Sequence, residues 1–136
     1  MKTLIVEDDF TSRLLLQELL KSYGPFHIAV NGKEAIDAVR LALEAGEPYD
    51  LICMDIMMPE LDGKAALRAI RDLEGVTGIT YIPAPRGAGA KVIMTTALND
   101  PQNVVASFNE LCDAYIIKPI DKLKLLNIIR SFGLPG

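Results

Sequence analysis

The sequence is short of cysteine, lacks any excess of positive charge and has no long apolar run, and each shortage removes a class of protein. Only two cysteines, Cys53 and Cys112, occur in 136 residues. Both sit in apolar surroundings and read as reduced core thiols rather than as part of a disulfide framework. Fourteen basic against eighteen acidic residues leave a net charge of −4. Nucleic acid and anionic lipid both attract a positive field, so direct binding to either is not expected. No stretch approaches the roughly 18 apolar residues that a membrane-spanning helix needs. Met1-Lys2-Thr3 runs straight into an apolar strand, without the h-region of a secretion signal. The one histidine, His27, enters a strand with no chemistry around it and reads as structural or exposed. A cytoplasmic location is the expectation.

What is present is an ordinary globular composition. Half the residues are hydrophobic, which argues against disorder. A chain of this length buries roughly two-thirds of its unfolded surface, enough for a core without metal or disulfide staples. A single domain over 1–136 is expected.

Short apolar runs alternate with stretches of helical period. Thr3–Val6, His27–Val30, Leu51–Met54, Lys91–Met94 and Ala114–Ile117 read as strands. Between and after them, helices are expected over Thr11–Tyr23, from Asn31-Gly32 to near Gly46, over Gly63–Leu73, about Asp100–Leu111 and Asp121–Phe132. Strands that are apolar nearly throughout imply burial on both faces, hence a parallel sheet flanked by helices. With right-handed crossovers, the expected fold is α/β, a flavodoxin-like (βα)₅ doubly wound sheet of order 2-1-3-4-5. Its crevice lies where the order reverses, at the ends of strands 1 and 3. One connection is enlarged: 74–90 carries Gly75, Gly78, Gly87, Gly89, Pro83 and Pro85 where 2–6 residues are usual. Ile79–Ile82 reads as a short strand or arm within it. Gly87-Ala88-Gly89 precedes a strand rather than opening a helix, so it is not a phosphate loop.

The chemistry gathers at the C-terminal ends of the strands. Strand 1 runs into Glu7-Asp8-Asp9, strand 3 into Asp55, strand 4 into Thr95-Thr96 and strand 5 into Lys118-Pro119. Each has an ordinary explanation alone: Asp8 or Asp9 capping a helix, Asp55 opening a turn, Lys118 on the surface. Together they converge on one crevice. Two carboxylates about 5 Å apart repel by roughly 3 kcal/mol at an effective dielectric near 20, so the cluster calls for a cation or raised pKa values. An all-oxygen site suits Mg²⁺, and a carboxylate beside it can attack phosphorus to give an acyl phosphate. A hydroxyl and an ammonium nearby would stabilise the transferred group. The pattern points to phosphoryl transfer onto Asp55.

Four separated motifs carry a resemblance that covers the chain end to end. They are Leu4-Ile5-Val6-Glu7-Asp8, Asp50 through Pro59 continuing to Asp62-Gly63, Met94-Thr95-Thr96-Ala97, and Tyr115-Ile116-Ile117-Lys118-Pro119. The chain resembles a two-component response-regulator receiver domain of the stand-alone, chemotaxis-regulator type. The resemblance implies Asp55 as phosphoacceptor and Mg²⁺ held by Glu7, Asp8, Asp55 and the backbone carbonyl of Met57. It implies Thr96 as switch hydroxyl, Tyr115 as switch aromatic, Lys118 as the lysine on the phosphoryl group, and a cis Lys118-Pro119 bond. Asp8 and Asp9 are the alternative acidic pair, though register favours Glu7 and Asp8. Ala97 favours Thr96 over Thr95.

Several further expectations follow from the family. The donor is a histidine kinase or phosphotransfer protein, and the output is a downstream protein. The face made by the fourth predicted helix, fifth strand and fifth helix repacks on phosphorylation, with Asn103, Ser107 and Lys122 on it. The chain is a monomer or a weak, phosphorylation-dependent dimer, and is not an enzyme on external substrates. Phe132 to Gly136 reads as a natural helix stop, which favours a stand-alone regulator. Apolar Met57 and Leu98 beside the acceptor suggest slow self-hydrolysis. An aspartate-nucleophile phosphatase of the haloacid-dehalogenase type needs an Asp two residues after Asp55, where Met57 stands. Acids after strand 1 would repel a flavin phosphate. A receiver-like partner binder that is never phosphorylated is disfavoured by the complete set of Asp55, Thr96 and Lys118.

Overall fold

The computed structural model describes residues 1–56, 63–76, 89–96 and 112–134. Five parallel strands, β1 (Thr3–Val6), β2 (Phe26–Ala29), β3 (Leu51–Asp55), β4 (Lys91–Thr96) and β5 (Ala114–Ile117), form one sheet of order β2-β1-β3-β4-β5. The register pairs Thr3 with both Phe26 and Leu51, Leu51 with Lys91, and Ile93 with Ala114. The four described helices are α1 (Phe10–Leu20), α2 (Gly32–Glu44), α3 (Gly63–Val76) and the C-terminal α4 (Lys122–Ser131). The expected fold and strand order are those observed. The helix expected at about 100–111, together with Met57, Leu98, Asn103, Ser107 and Ile79–Ile82, lies outside the described residues.

Strand alternation divides the core in two. Leu4, Val6, Ile52, Met54, Val92 and Met94 face one way, joining Val39, Leu67 and Ile70 of α2 and α3. Ile5, Leu51, Cys53, Ile93 and Ile116 face the other way, joining Leu16, Leu20, Leu125 and Ile129 of α1 and α4. Both layers are closed to solvent, as continuous apolar strands require.

Caps fix where the helices begin. Asp9 accepts from Ser12 N at 2.9 Å, Asn31 from Glu34 N at 2.8 Å, and Asp121 from Leu123 N at 2.8 Å, each relieving an orphan N–H of a first turn. Glu34 also reaches back to Val30 N at 3.0 Å. This corrects the second strand, which runs over Phe26–Ala29 rather than His27–Val30, because Val30 is drawn into the α2 cap. Helix α1 is likewise shorter than expected: it stops at Leu20, and Lys21–Tyr23 tighten into a 3₁₀ turn. Gly24 then takes φ +138°, with its Cα so close to Met1 that a Cβ would lie 2.2 Å from the Met1 carbonyl oxygen. Helix α3 continues to Val76, so Glu74, Gly75 and Val76 are helical rather than the start of the enlarged loop. At the C-terminus Phe132 caps α4 and Gly133 turns the chain with φ +74°, the glycine stop read from the sequence.

A second polar cluster holds the opposite end of the sheet. Arg71 reaches Glu74 Oε1 at 2.7 Å, the Ala90 carbonyl at 2.9 Å and Asp113 Oδ2 at 3.1 Å. Glu74 Oε2 accepts from Ala90 N at 2.7 Å, and Asp113 Oδ2 from Val92 N at 2.8 Å. The end of α3 is thereby bonded to the entrances of β4 and β5.

Candidate functional site

The acids stand where the β1 ladder ends. Glu7 N still donates to Ala29 O at 3.0 Å, and the Glu7 side chain is fully buried while Asp8 is exposed. Asp55 is the last residue of β3 and only 5% exposed. Among the described residues, carboxylate oxygens of Glu7, Asp8 and Asp55 lie within 4.8 Å of one another. Asp9 is not in that group. Its carboxylate is occupied in capping α1, and the Ser12 backbone and side chain hold its pKa below the usual carboxylate value. Between the two acidic pairs left open by the sequence, the geometry thus gathers Glu7 and Asp8.

Lys118 closes the cluster. Its Nζ lies 2.6 Å from Glu7 Oε1 and 3.4 Å from Asp55 Oδ2. The Glu7 pKa is raised from 4.5 to about 7, chiefly by burial and further by Asp55, against the opposing pull of Lys118. Burial by itself would lower the Lys118 pKa, but its pairing with Glu7 and Asp55 outweighs that and holds it above the ordinary lysine value. One ammonium therefore serves two buried carboxylates, with a third beside them.

Thr95 and Thr96 end β4 on opposite faces. Thr95 is the register partner of Asp55, and its carbonyl accepts from Ile56 N at 3.0 Å. Its buried Oγ1 has no partner among the described residues. Thr96 pairs with Ile117, and its carbonyl accepts from Lys118 N at 2.7 Å. By strand alternation Thr96 shares the α2/α3 face with Met94, and Met94 is the register partner of Tyr115. Thr96 and Tyr115 are therefore diagonal neighbours on one face. Tyr115 is 43% exposed. The Lys118-Pro119 peptide is cis.

Arg13 is the site residue that the sequence reading missed. Its Nη1 donates to the carbonyls of Glu7 at 3.2 Å and Asp8 at 3.5 Å. An arginine four residues after a helix cap is well placed to fold back over the first turn, and that spacing was the available signal. His27, by contrast, is a structural contact: its Nδ1 is 2.7 Å from the Tyr49 hydroxyl. Both cysteines are free thiols.

A doubly wound parallel sheet, with three acids and a lysine gathered at its switch point, defines a receiver-type α/β signalling module. The response regulator receiver domain family matches residues 3–130, and the chain belongs to that family. The rice two-component response regulator ORR41 is 35% identical over 136 residues, covering 98% of this chain and 94% of the rice protein. The yeast osmosensing histidine kinase SLN1 is 29% identical over 133 residues, covering 96% of this chain but 10% of the kinase; the chain spans a small fraction of the curated kinases it matches. In structure, the receiver domain of sensor kinase PA1611 from Pseudomonas aeruginosa gives a TM-score of 0.71 at 23% identity, covering 97% of each chain. That domain has a magnesium ion coordinated in its active-site cleft.

Proposed function

We propose that Asp55 accepts a phosphoryl group from a phosphohistidine of a histidine kinase or phosphotransfer protein. The observation that carries this is the buried Asp55 carboxylate set within 4.8 Å of two other acids and 3.4 Å from the Lys118 ammonium. An Asp55 oxygen bonds to phosphorus as the phosphorus–nitrogen bond of the donor breaks, and the donor imidazole keeps the electron pair and takes up a proton. Lys118 offsets the negative charge on the phosphoryl oxygens.

A magnesium ion suits the residues present. All donors are hard oxygens, one acid is exposed as an entry, and three carboxylates within 4.8 Å of one another share a single ammonium among the described residues. Glu7, Asp8 and Asp55 would hold it, with the Met57 carbonyl as a further ligand. Bound there, the ion neutralises carboxylate and phosphoryl charge. The neighbouring receiver domain that holds magnesium in its cleft supports the reading.

The Thr96 hydroxyl then donates to a phosphoryl oxygen, and Tyr115 moves into the space beside it. Their diagonal placement on one face supports this coupling. The exposed surface around Tyr115 and Lys122 changes its packing and so its affinity for a downstream protein, a population shift biased by new charge-assisted hydrogen bonds. The chain acts as a signalling module rather than as a turnover enzyme.

Intact mass after incubation with magnesium and acetyl phosphate is the test. One added phosphoryl group, absent from Asp55→Asn, is expected. No gain with any donor would leave a partner-binding module that is never phosphorylated, and sustained phosphate release from many substrates would mark a phosphatase.

A further inference from the structure

We propose that Arg13 is the positioning residue of the acidic pair, holding the β1–α1 turn in the shape that aims Glu7 and Asp8 at a common divalent cation. The inference rests on the metal reading given above.

The strand pairing closes with one bond, Glu7 N to Ala29 O at 3.0 Å, and the two peptides that follow, which carry the Glu7 and Asp8 carbonyls, lie beyond the ladder. Three contacts hold them. The Asp9 N–H reaches Glu7 Oε2 at 3.3 Å, the Asp9 carboxylate caps α1 through Ser12 N, and Arg13 Nη1 donates to the carbonyls of Glu7 and Asp8. Among the described residues, only Arg13 ties both of these peptide planes at once. Its own N–H is fixed in the helix by Asp9 O at 2.9 Å, and its guanidinium lies 5.5 Å from the Phe10 ring centroid, a cation–π contact that further restricts it. The brace thus runs from a rigid first helical turn to the two peptides that carry the acids.

The charge of Arg13 makes the role testable by sign. A cation close to a metal site opposes a second cation, so by charge alone removing Arg13 would tighten magnesium binding. As a brace, its removal weakens binding, because supporting groups that orient metal ligands are typically worth 10–100-fold in affinity. Lysine keeps the charge but has no planar fork to bond two carbonyls. Arg13→Lys therefore isolates geometry, and Arg13→Ala combines both effects.

Amide-NMR titration of the full chain with magnesium chloride, without any phosphodonor, reads the affinity directly. Arg13→Lys is expected to bind magnesium about 10-fold more weakly, and Arg13→Ala to be weakened less. Acetyl phosphate labelling of Arg13→Lys should recover the wild-type rate once magnesium saturates. Unchanged or tighter binding in Arg13→Lys overturns the proposal, even if thermal stability falls, since that pattern describes a residue that merely supports the fold. A wild-type chain that shows no magnesium-dependent shift overturns the metal reading itself, and the Arg13 inference with it.

Discussion

Lys118 and Glu7 meet at 2.6 Å although they follow β5 and β1, which are separated in the sheet by β3 and β4. At about 4.8 Å per strand, their backbones stand on strands roughly 14 Å apart. The side chains of Lys118 and Glu7 both reach over the intervening strand ends, and the same ammonium lies 3.4 Å from Asp55 Oδ2 at the end of β3.

Removing that lysine should be costly. Lys118→Ala leaves the buried carboxylates of Glu7 and Asp55 without their cation, and breaking a buried pair costs about 3 kcal/mol. Urea unfolding of the metal-free protein at pH 8 should show a loss of that order. Saturating magnesium should restore part of it, since a ligand that binds only the folded chain stabilises it.

Glu7 gives the metal-free protein an unusual pH dependence. Its pKa in the fold is about 7, against 4.5 as its ordinary value. Between those values the folded chain keeps a proton that the unfolded chain has released, so stability falls as pH rises through this window and levels off above about 7. Denaturation midpoints measured from pH 5 to pH 8 should follow that slope in wild type. Glu7→Gln, which cannot ionise, should flatten it.

The Arg71–Glu74 clamp should matter for stability and not for the site. Glu74→Ala removes the acceptor of the buried Ala90 N–H and one partner of Arg71. An unsatisfied group of this kind costs about 2 kcal/mol. From Lys91 to Thr96 the strand rises roughly 16 Å, so the clamp is remote from Asp55. Urea midpoints should fall, while magnesium affinity and acetyl phosphate labelling stay at wild-type values. Replacing residues 77–88 by a short linker should likewise leave labelling intact.

Cys53 should resist thiol reagents in the folded protein. It is fully buried, and burial pushes its pKa up to about 12, so almost no thiolate is available. Maleimide labelling followed by peptide mass mapping should find Cys53 modified only in denaturant.

Much of this was legible because strand ends are dictated by alternation. The apolar runs at Leu4, Ile52 and Val92 fix both faces of the sheet, and once the order is set Glu7, Asp55 and Lys118 have to meet. The apolar runs Thr3–Val6 and Ala114–Ile117 coincide with β1 and β5 to the residue. Errors arose where a side chain outside the periodic pattern decides the boundary. Glu34 takes Val30 out of β2, and Glu74 extends α3 by bonding to Ala90. Which acid caps α1 could not be settled from Glu7-Asp8-Asp9, since all three carry the same group. Arg13 was overlooked because its partners are backbone carbonyls, which leave no trace in side-chain chemistry.

Consecutive threonines at the end of β4 inhabit different halves of the interior. Thr95 lies on the side lined by α1 and α4 with its partner Asp55, and Thr96 on the side lined by α2 and α3 with Tyr115. The sheet is thus a partition wall, and the peptide between these two residues is a doorway through it. Under the proposed phosphoryl transfer, the event at Asp55 and the response at Tyr115 would fall on opposite sides of that wall, separated by the peptide between Thr95 and Thr96.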